Sequence, residues 1–203
     1  MSYQEQPSLD AVVLRNVLLR ATRALFAKPE NYGDLADKLQ AFKWDPNDEK
    51  GSSLQIELDW NFDPHKIGNR QSIFVGIDDI DFHTDFIDHR SDISEDRSRI
   101  TYTQSATTKA QIRAVSPLPD EPLYLTTVAS AYFLAMRPQI MNHFNLTRYD
   151  MARLSKTTLV KNTGEALKLY ESMLSINLAF NFSIVSSLEG VRIKAFTLDL
   201  NSQ

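Results

Sequence analysis

Apolar residues recur at three- and four-residue spacing near the start of the chain: Val13, Leu14, Val17, Leu18, Ala21 and Leu25, with Arg15, Arg20 and Arg23 between them. That period predicts an amphipathic helix. Ser8 or Asp10 is placed to cap it and Pro29 to stop it. A shorter helix is expected with Tyr32, Leu35, Ala36, Leu39 and Phe42 on one face, and the run Asp45 to Gly51 reads as a loop. From Leu54 the period becomes two. Leu54, Ile56, Leu58, Trp60 and Phe62 alternate with Gln55, Glu57, Asp59 and Asn61, which predicts a half-buried strand ended by Asp63-Pro64. Ser72 to Ile77 predicts a second strand, and the two are expected to pair antiparallel across residues 63–71.

Residues 78–98 are strongly polar, and 99–116, rich in Thr, Ser and Ala, read as one or two strands. Leu125, Val128, Ala129, Tyr132, Phe133 and Met136 then share one helical face, preceded by Pro119 and Pro122. Pro138 must kink or end that helix, because it lacks the N–H a helix needs and clashes with the preceding turn. The C-terminal third turns to strand again. Leu174, Ile176, Leu178, Phe180, Phe182 and Ile184 alternate strictly, and residues 186–190 read as a turn. A last strand holds Val191, Ile193 and Ala195 in one phase, then Phe196, Leu198 and Leu200 in the other. That slip predicts a bulge or a change of partner. The expectation is one α+β domain over 1–203: a mainly antiparallel sheet packed on an N-terminal and a central helix, with extended loops or a hairpin and polar insertions at about 28–52 and 78–98. No internal repeat is visible.

Composition narrows the chemistry. The 203 residues contain no cysteine, which excludes disulfides, thiol nucleophiles and thiolate metal ligands. MSYQEQPSLD has neither the basic nor the apolar region of a secretory signal, and no apolar run approaches the ~20 residues of a membrane helix. The six glycines are too scattered for a phosphate-cradling loop, and no nucleophile elbow or zincin histidine pair is present. No catalytic, cofactor-binding or metal-binding residue is therefore assigned. The formal charge of −4 hides an uneven distribution. Residues 78–96 carry eight acids and one base, a net of −7, whereas 97–203 carry twelve bases and seven acids, a net of +5.

The density of carboxylates and imidazoles from Asp78 to His89 is what a divalent cation or a two-metal hydrolase would use. The spacing fits no EF-hand loop, lacking both its glycine and its closing glutamate. A solvated acidic loop, given a role in an oligomer, is the competing reading. Glu57 and Asp59, about 7 Å apart on one strand face, form an arrangement common on solvated strands. His65 and His143 have no evident partner in the sequence. Arg148, Arg153, Lys156 and Lys161 lie among few aromatics, which fits a solvated face or a salt-linked subunit contact better than a nucleic-acid platform.

The order of elements, with a few phrases, resembles the tail-terminator (tail-completion or neck) proteins of tailed bacteriophages. The phrases are Ile56-Glu57-Leu58-Asp59-Trp60-Asn61-Phe62-Asp63-Pro64, then Ser72-Ile73-Phe74-Val75-Gly76 running into acids, a helix ending Phe133-Leu134-Ala135-Met136-Arg137-Pro138, and the alternating strand Leu174 to Val185 before Leu198-Asp199-Leu200. The likeness spans roughly residues 9–200. It implies a non-enzymatic subunit of a ring, typically a hexamer, that caps the tail tube and joins it to the head-side connector or stopper, leaving a channel for DNA without binding it specifically. The implied place is the virion neck, and the host cytoplasm during assembly, with no membrane. A tube, connector or sheath-cap subunit is the neighbouring alternative. A ring subunit needs two complementary surfaces. Asp78, Asp79, Asp81 and Asp85 are the candidate lumen-facing or inter-subunit acids, and Arg148, Arg153, Lys156 and Lys161 the candidate basic partners.

Overall fold

The expected N-terminal helix is α1 (Ala11–Ala27), whose Leu14, Leu18 and Leu25 are fully buried. The computed structural model describes residues 11–30, 36–48, 51–67, 70–82, 90–93, 99–160, 168–187 and 197–198. A short α2 (Ala36–Gln40) follows, and Leu39, Phe42 and Trp44 from this polar-looking stretch all reach the main core. Then come β1 (Leu54–Leu58), a 3-10 turn at Asp59–Asn61, a single helical turn α3 (Pro64–Ile67) and β2 (Gln71–Ile77). Two short strands, β3 (Asp81–Phe82) and β4 (Arg90–Ile93), lead into the long β5 (Arg99–Ser116). Helices α4 (Glu121–Ala135) and α5 (Arg137–Phe144) precede β6 (Leu146–Leu154), β7 (Thr158–Leu159), the long β8 (Tyr170–Ser187) and β9 (Thr197–Leu198).

All strands belong to one sheet of order β1-β2-β5-β8-β6. Its spine is β5 against β8, antiparallel and unbroken from Arg99↔Ser187 to Ser116↔Tyr170. β2, β3 and β4 line the other side of β5, and β7, β6 and β9 line the other side of β8. The α+β class is as expected. β5 is one strand, and its buried positions Ala106, Thr108, Ala110, Ile112 and Ala114 are mostly small. The facing large residues Leu174, Ile176, Leu178 and Phe180 come from β8. Small against large lets α4 lie close to the sheet and still leaves few voids.

Two expectations need correction. β1 and β2 pair parallel, Leu54↔Gln71 to Leu58↔Val75, not antiparallel. The link between them is long enough to carry the chain back along the sheet because it contains two helical turns. The first strand also stops at Leu58, because Asp59–Asn61 wind into the 3-10 turn. Trp60 therefore leaves the strand phase and is 61% exposed, with the Arg15 guanidinium 3.8 Å from its ring centre. Pro64 starts α3, where its missing N–H costs nothing. Pro138 behaves as expected: α4 ends at Ala135, and Pro138 sits in the first turn of α5. β8 runs through Ser187, into the expected turn. The phase slip at residues 191–196 lies outside the described residues.

One face of the sheet carries the main core. α1 packs over β1 and β2, and α4 over β5, β8 and β6. Arg23 ties α1 to the sheet by donating to the Ile56 carbonyl at 3.0 and 3.3 Å. Tyr149 of β6 is buried and donates its hydroxyl to the Phe133 carbonyl of α4 at 3.1 Å. The opposite face is covered at one end only, by a small cluster of Ile67, Phe74, Val115, Val160 and Leu169 with Phe62 against it. The rest of that face is open among the described residues, and it is there that the polar residues of β5, β8 and β6 stand.

Candidate functional site: two charged edges of one sheet

The acidic segment begins as a fixed strand edge. The Asp78 amide donates to the Lys109 carbonyl at 2.9 Å, and its carboxylate accepts from the Gln111 side-chain amide at 2.6 Å. Thr108 donates to the carbonyls of Asp78 at 2.9 Å and Asp79 at 3.2 Å. These bonds hold the turn after β2 against β5, and Asp81 then pairs with Thr107 in β3. Asp78, Asp79 and Asp81 are all exposed, and exposed Phe82 follows them. Asp85 lies outside the described residues, as do His83 and His89. Among the described residues no group of three or more His, Asp or Glu is arranged to hold a metal ion.

The basic residues lie on the other side of the spine. Arg148 is exposed and paired with Asp150 two residues along β6. Arg153 follows the second of two bulges in β6, between Met151 and Arg153, and Lys156 is exposed in the link to β7. Leu154 and Leu159 are exposed beside them. Lys161 lies outside the described residues. The register relates the two sets directly. Asp81 pairs with Thr107, Thr107 with Ala179, and Ala179 with Arg148. Three strand spacings, about 14 Å, thus separate an acidic edge from a basic edge on one row of the sheet. Among the described residues the two sets do not touch within one subunit.

Between the edges the open face carries a shallow groove of about 590 Å³, lined among others by Lys109, Gln111, Arg153, Glu171, Ser175 and Asn177. At its covered end Arg113 stands 3.8 Å from both Asp59 and Glu171 and over the Phe62 ring at 5.0 Å. Gly76 makes room for this arrangement, since a side chain there would meet the Asp59 Cβ at 3.0 Å. Asp59 therefore belongs to the Arg113 cluster and not to a carboxylate pair with Glu57, which instead accepts from Gln55 at 2.6 Å. The two residues do not share a strand face, because β1 ends at Leu58 and Asp59 lies in the 3-10 turn. His143 is exposed and stacks edge-on against Phe144 at 4.7 Å.

Lys109, Gln111, Arg113 and Glu171 did not stand out in the sequence. The signal available for the first three was the period-two run Thr107, Lys109, Gln111, Arg113, which is the polar phase of β5; Glu171 of β8 had none. The groups with clearly raised pKa among the described residues are Tyr124, Tyr132 and Tyr149, each pushed up by burial, and all lie on the helix side of the sheet. What the two edges can do chemically is bind, by complementary charge, to a surface of the opposite sign. No protein-family model matches the chain, and no curated protein matches it.

Proposed function

We propose that this chain is a structural subunit of a tailed-phage neck, a tail terminator that assembles into a ring, hexamer symmetry being what the resemblance implies. The observation that supports a ring is the placement of Asp78, Asp79 and Asp81 on one edge of the sheet and Arg148, Arg153 and Lys156 on the other. Edges of unlike charge on opposite sides of one subunit are self-complementary head to tail, and a head-to-tail contact that closes makes a ring. Such charges set orientation and register more than they add affinity. Exposed Phe82 on the acidic edge and Leu154 and Leu159 on the basic edge supply apolar area beside them. In this reading the tail tube and the head-side connector bind the two flat ends of the ring, and DNA passes through the centre.

The test is charge reversal followed by compensation. Particles formed by the purified protein, alone and with the tail tube protein, are sized by native mass measurement and negative-stain microscopy. Asp78→Lys with Asp81→Lys is expected to abolish closed rings, and adding Arg148→Glu with Arg153→Glu to restore them. Rings that survive the first pair unchanged, or that the second pair fails to restore, refute the edge-to-edge contact. Labelling the protein in intact virions tests the location, and a label anywhere but the neck refutes the terminator reading.

A further inference from the structure

Helix α4 is apolar on more sides than the described residues cover. Between Glu121 and Arg137 the sequence PLYLTTVASAYFLAM contains no charged residue. Leu125, Val128, Ala129 and Phe133 face the sheet and are buried, as an inner face should be. The outer face carries Leu123, Thr127, Ala131 and Leu134, and the two leucines are 39% and 57% exposed. A helix apolar all round is normally buried all round. Two hydroxyls on and beside this face are already satisfied from within. Thr127 donates to the Leu123 carbonyl and Ser130 to the Thr127 carbonyl, both at 2.7 Å, so neither hydroxyl needs water.

We infer that this face binds the same face of a second copy of the chain, helix against helix and antiparallel. The stripe reads nearly the same from either end. It runs from exposed Asp120 through Leu123, Thr127, Ala131 and Leu134 to exposed Arg137. Antiparallel pairing sets Leu123 against the partner's Leu134 twice and small Thr127 against the partner's Ala131 at the crossing. Small residues there allow the close end of the usual 8–10 Å helix separation. It also brings the acidic end of each helix to Arg137 of the other, whereas parallel pairing would set acid on acid and Arg on Arg. Charge complementarity therefore selects both the occupant and its direction. The contact is isologous, one patch used twice about a twofold axis. It joins two subunits whether or not either belongs to a ring. The leucines lie about 16 Å apart along the helix, so the buried area falls in the small, weak class, and the dimer forms only at high protein concentration.

The chain has no cysteine, so introduced thiols report on this contact alone. Leu123→Cys and Leu134→Cys proteins are each oxidised alone and then as a mixture at high concentration, with circular dichroism confirming that both fold. A disulfide-linked dimer is expected in the mixture and not from either variant alone. Self-linking of either variant alone, or no link in the mixture, overturns the inference. Sedimentation of the cysteine-free chain gives an independent check. Asp120→Arg or Arg137→Glu alone is expected to weaken self-association about fivefold, and the double variant to restore it. Additive losses in the double variant count against the pairing.

Discussion

Tyr149→Phe removes one oxygen from a buried site and has a consequence that depends on pH. The hydroxyl donates to the Phe133 carbonyl across the β6–α4 contact. Losing one such bond costs about 1 kcal/mol at neutral pH. Burial pushes the Tyr149 phenol far above its ordinary value of 10, and the nearby positive charge of Arg137 opposes that only in part. In the unfolded chain the phenol ionises near pH 10, while in the native protein it stays protonated. Above pH 10 the unfolded state therefore binds fewer protons than the native state, and stability falls as pH rises. The loss from this one group is about 1.4 kcal/mol for each pH unit, so by pH 11 it matches what the hydroxyl contributes at pH 7. Tyr124 and Tyr132 are raised too, and both proteins keep them. Urea unfolding followed by circular dichroism at pH 7, 9, 10 and 11 measures the difference between wild type and variant. The wild type should lead by about 1 kcal/mol at pH 7 and lose that lead by pH 11. A gap that stays constant across this range would refute the buried, protonated phenol.

Two further substitutions test the layering and one unusual backbone position. Ile176→Ala, at a fully buried position of β8, should cost about 2–5 kcal/mol in urea unfolding, while its neighbour Asn177→Ala on the open face stays within about 0.5 kcal/mol. Equal effects would mean that the sheet faces are assigned wrongly. Asn145 closes α5 with φ at 51° and donates its amide to the Met141 carbonyl. Asn145→Ala should lower stability by about 1 kcal/mol and Asn145→Gly should recover most of it, because a Cβ disfavours the left-handed region and glycine does not. Thermal unfolding of the three proteins decides this, and an alanine variant as stable as wild type would contradict the strained cap.

What could be read directly was whatever carried large side chains at a constant period. β8 announced itself because Leu174 to Phe180 alternate as large residues, and α4 because Leu125 to Phe133 keep one face. β5 could be read only as one or two strands, because the same buried role falls to Ala106, Ala110 and Ala114, whose small side chains leave the alternation faint. β6 was missed for a different reason: Leu146, Tyr149, Met151 and Leu154 are spaced three, two and three, since two bulges break the alternation. Trp60 and Phe62 misled in the opposite direction, keeping strand phase through a 3-10 turn that turns Trp60 out to Arg15. The charge runs of the candidate site were legible as composition. Their placement on opposite edges was not, because it follows from which strands flank β5 and β8, and those pairings join residues far apart in the chain. Arg113 shows the same limit, since its partners Asp59 and Glu171 lie on either side of it at long sequence separation.

The two proposed contacts differ in symmetry, and that makes them separable. An edge-to-edge contact is head to tail, so alone it yields a closed ring or an open helical stack, depending on the rotation between neighbours. The α4 contact is twofold, so alone it stops at a dimer. Made together they would pair two rings face to face where the twofold axis crosses the ring axis at right angles, and would link each ring to several others in an extended lattice at any other orientation. Reversing the edge charges should therefore leave α4-linked dimers, and Leu134→Glu should leave single rings. A variant of one surface that removes both products would mean that the surfaces are not independent, and would place α4 inside the ring contact itself.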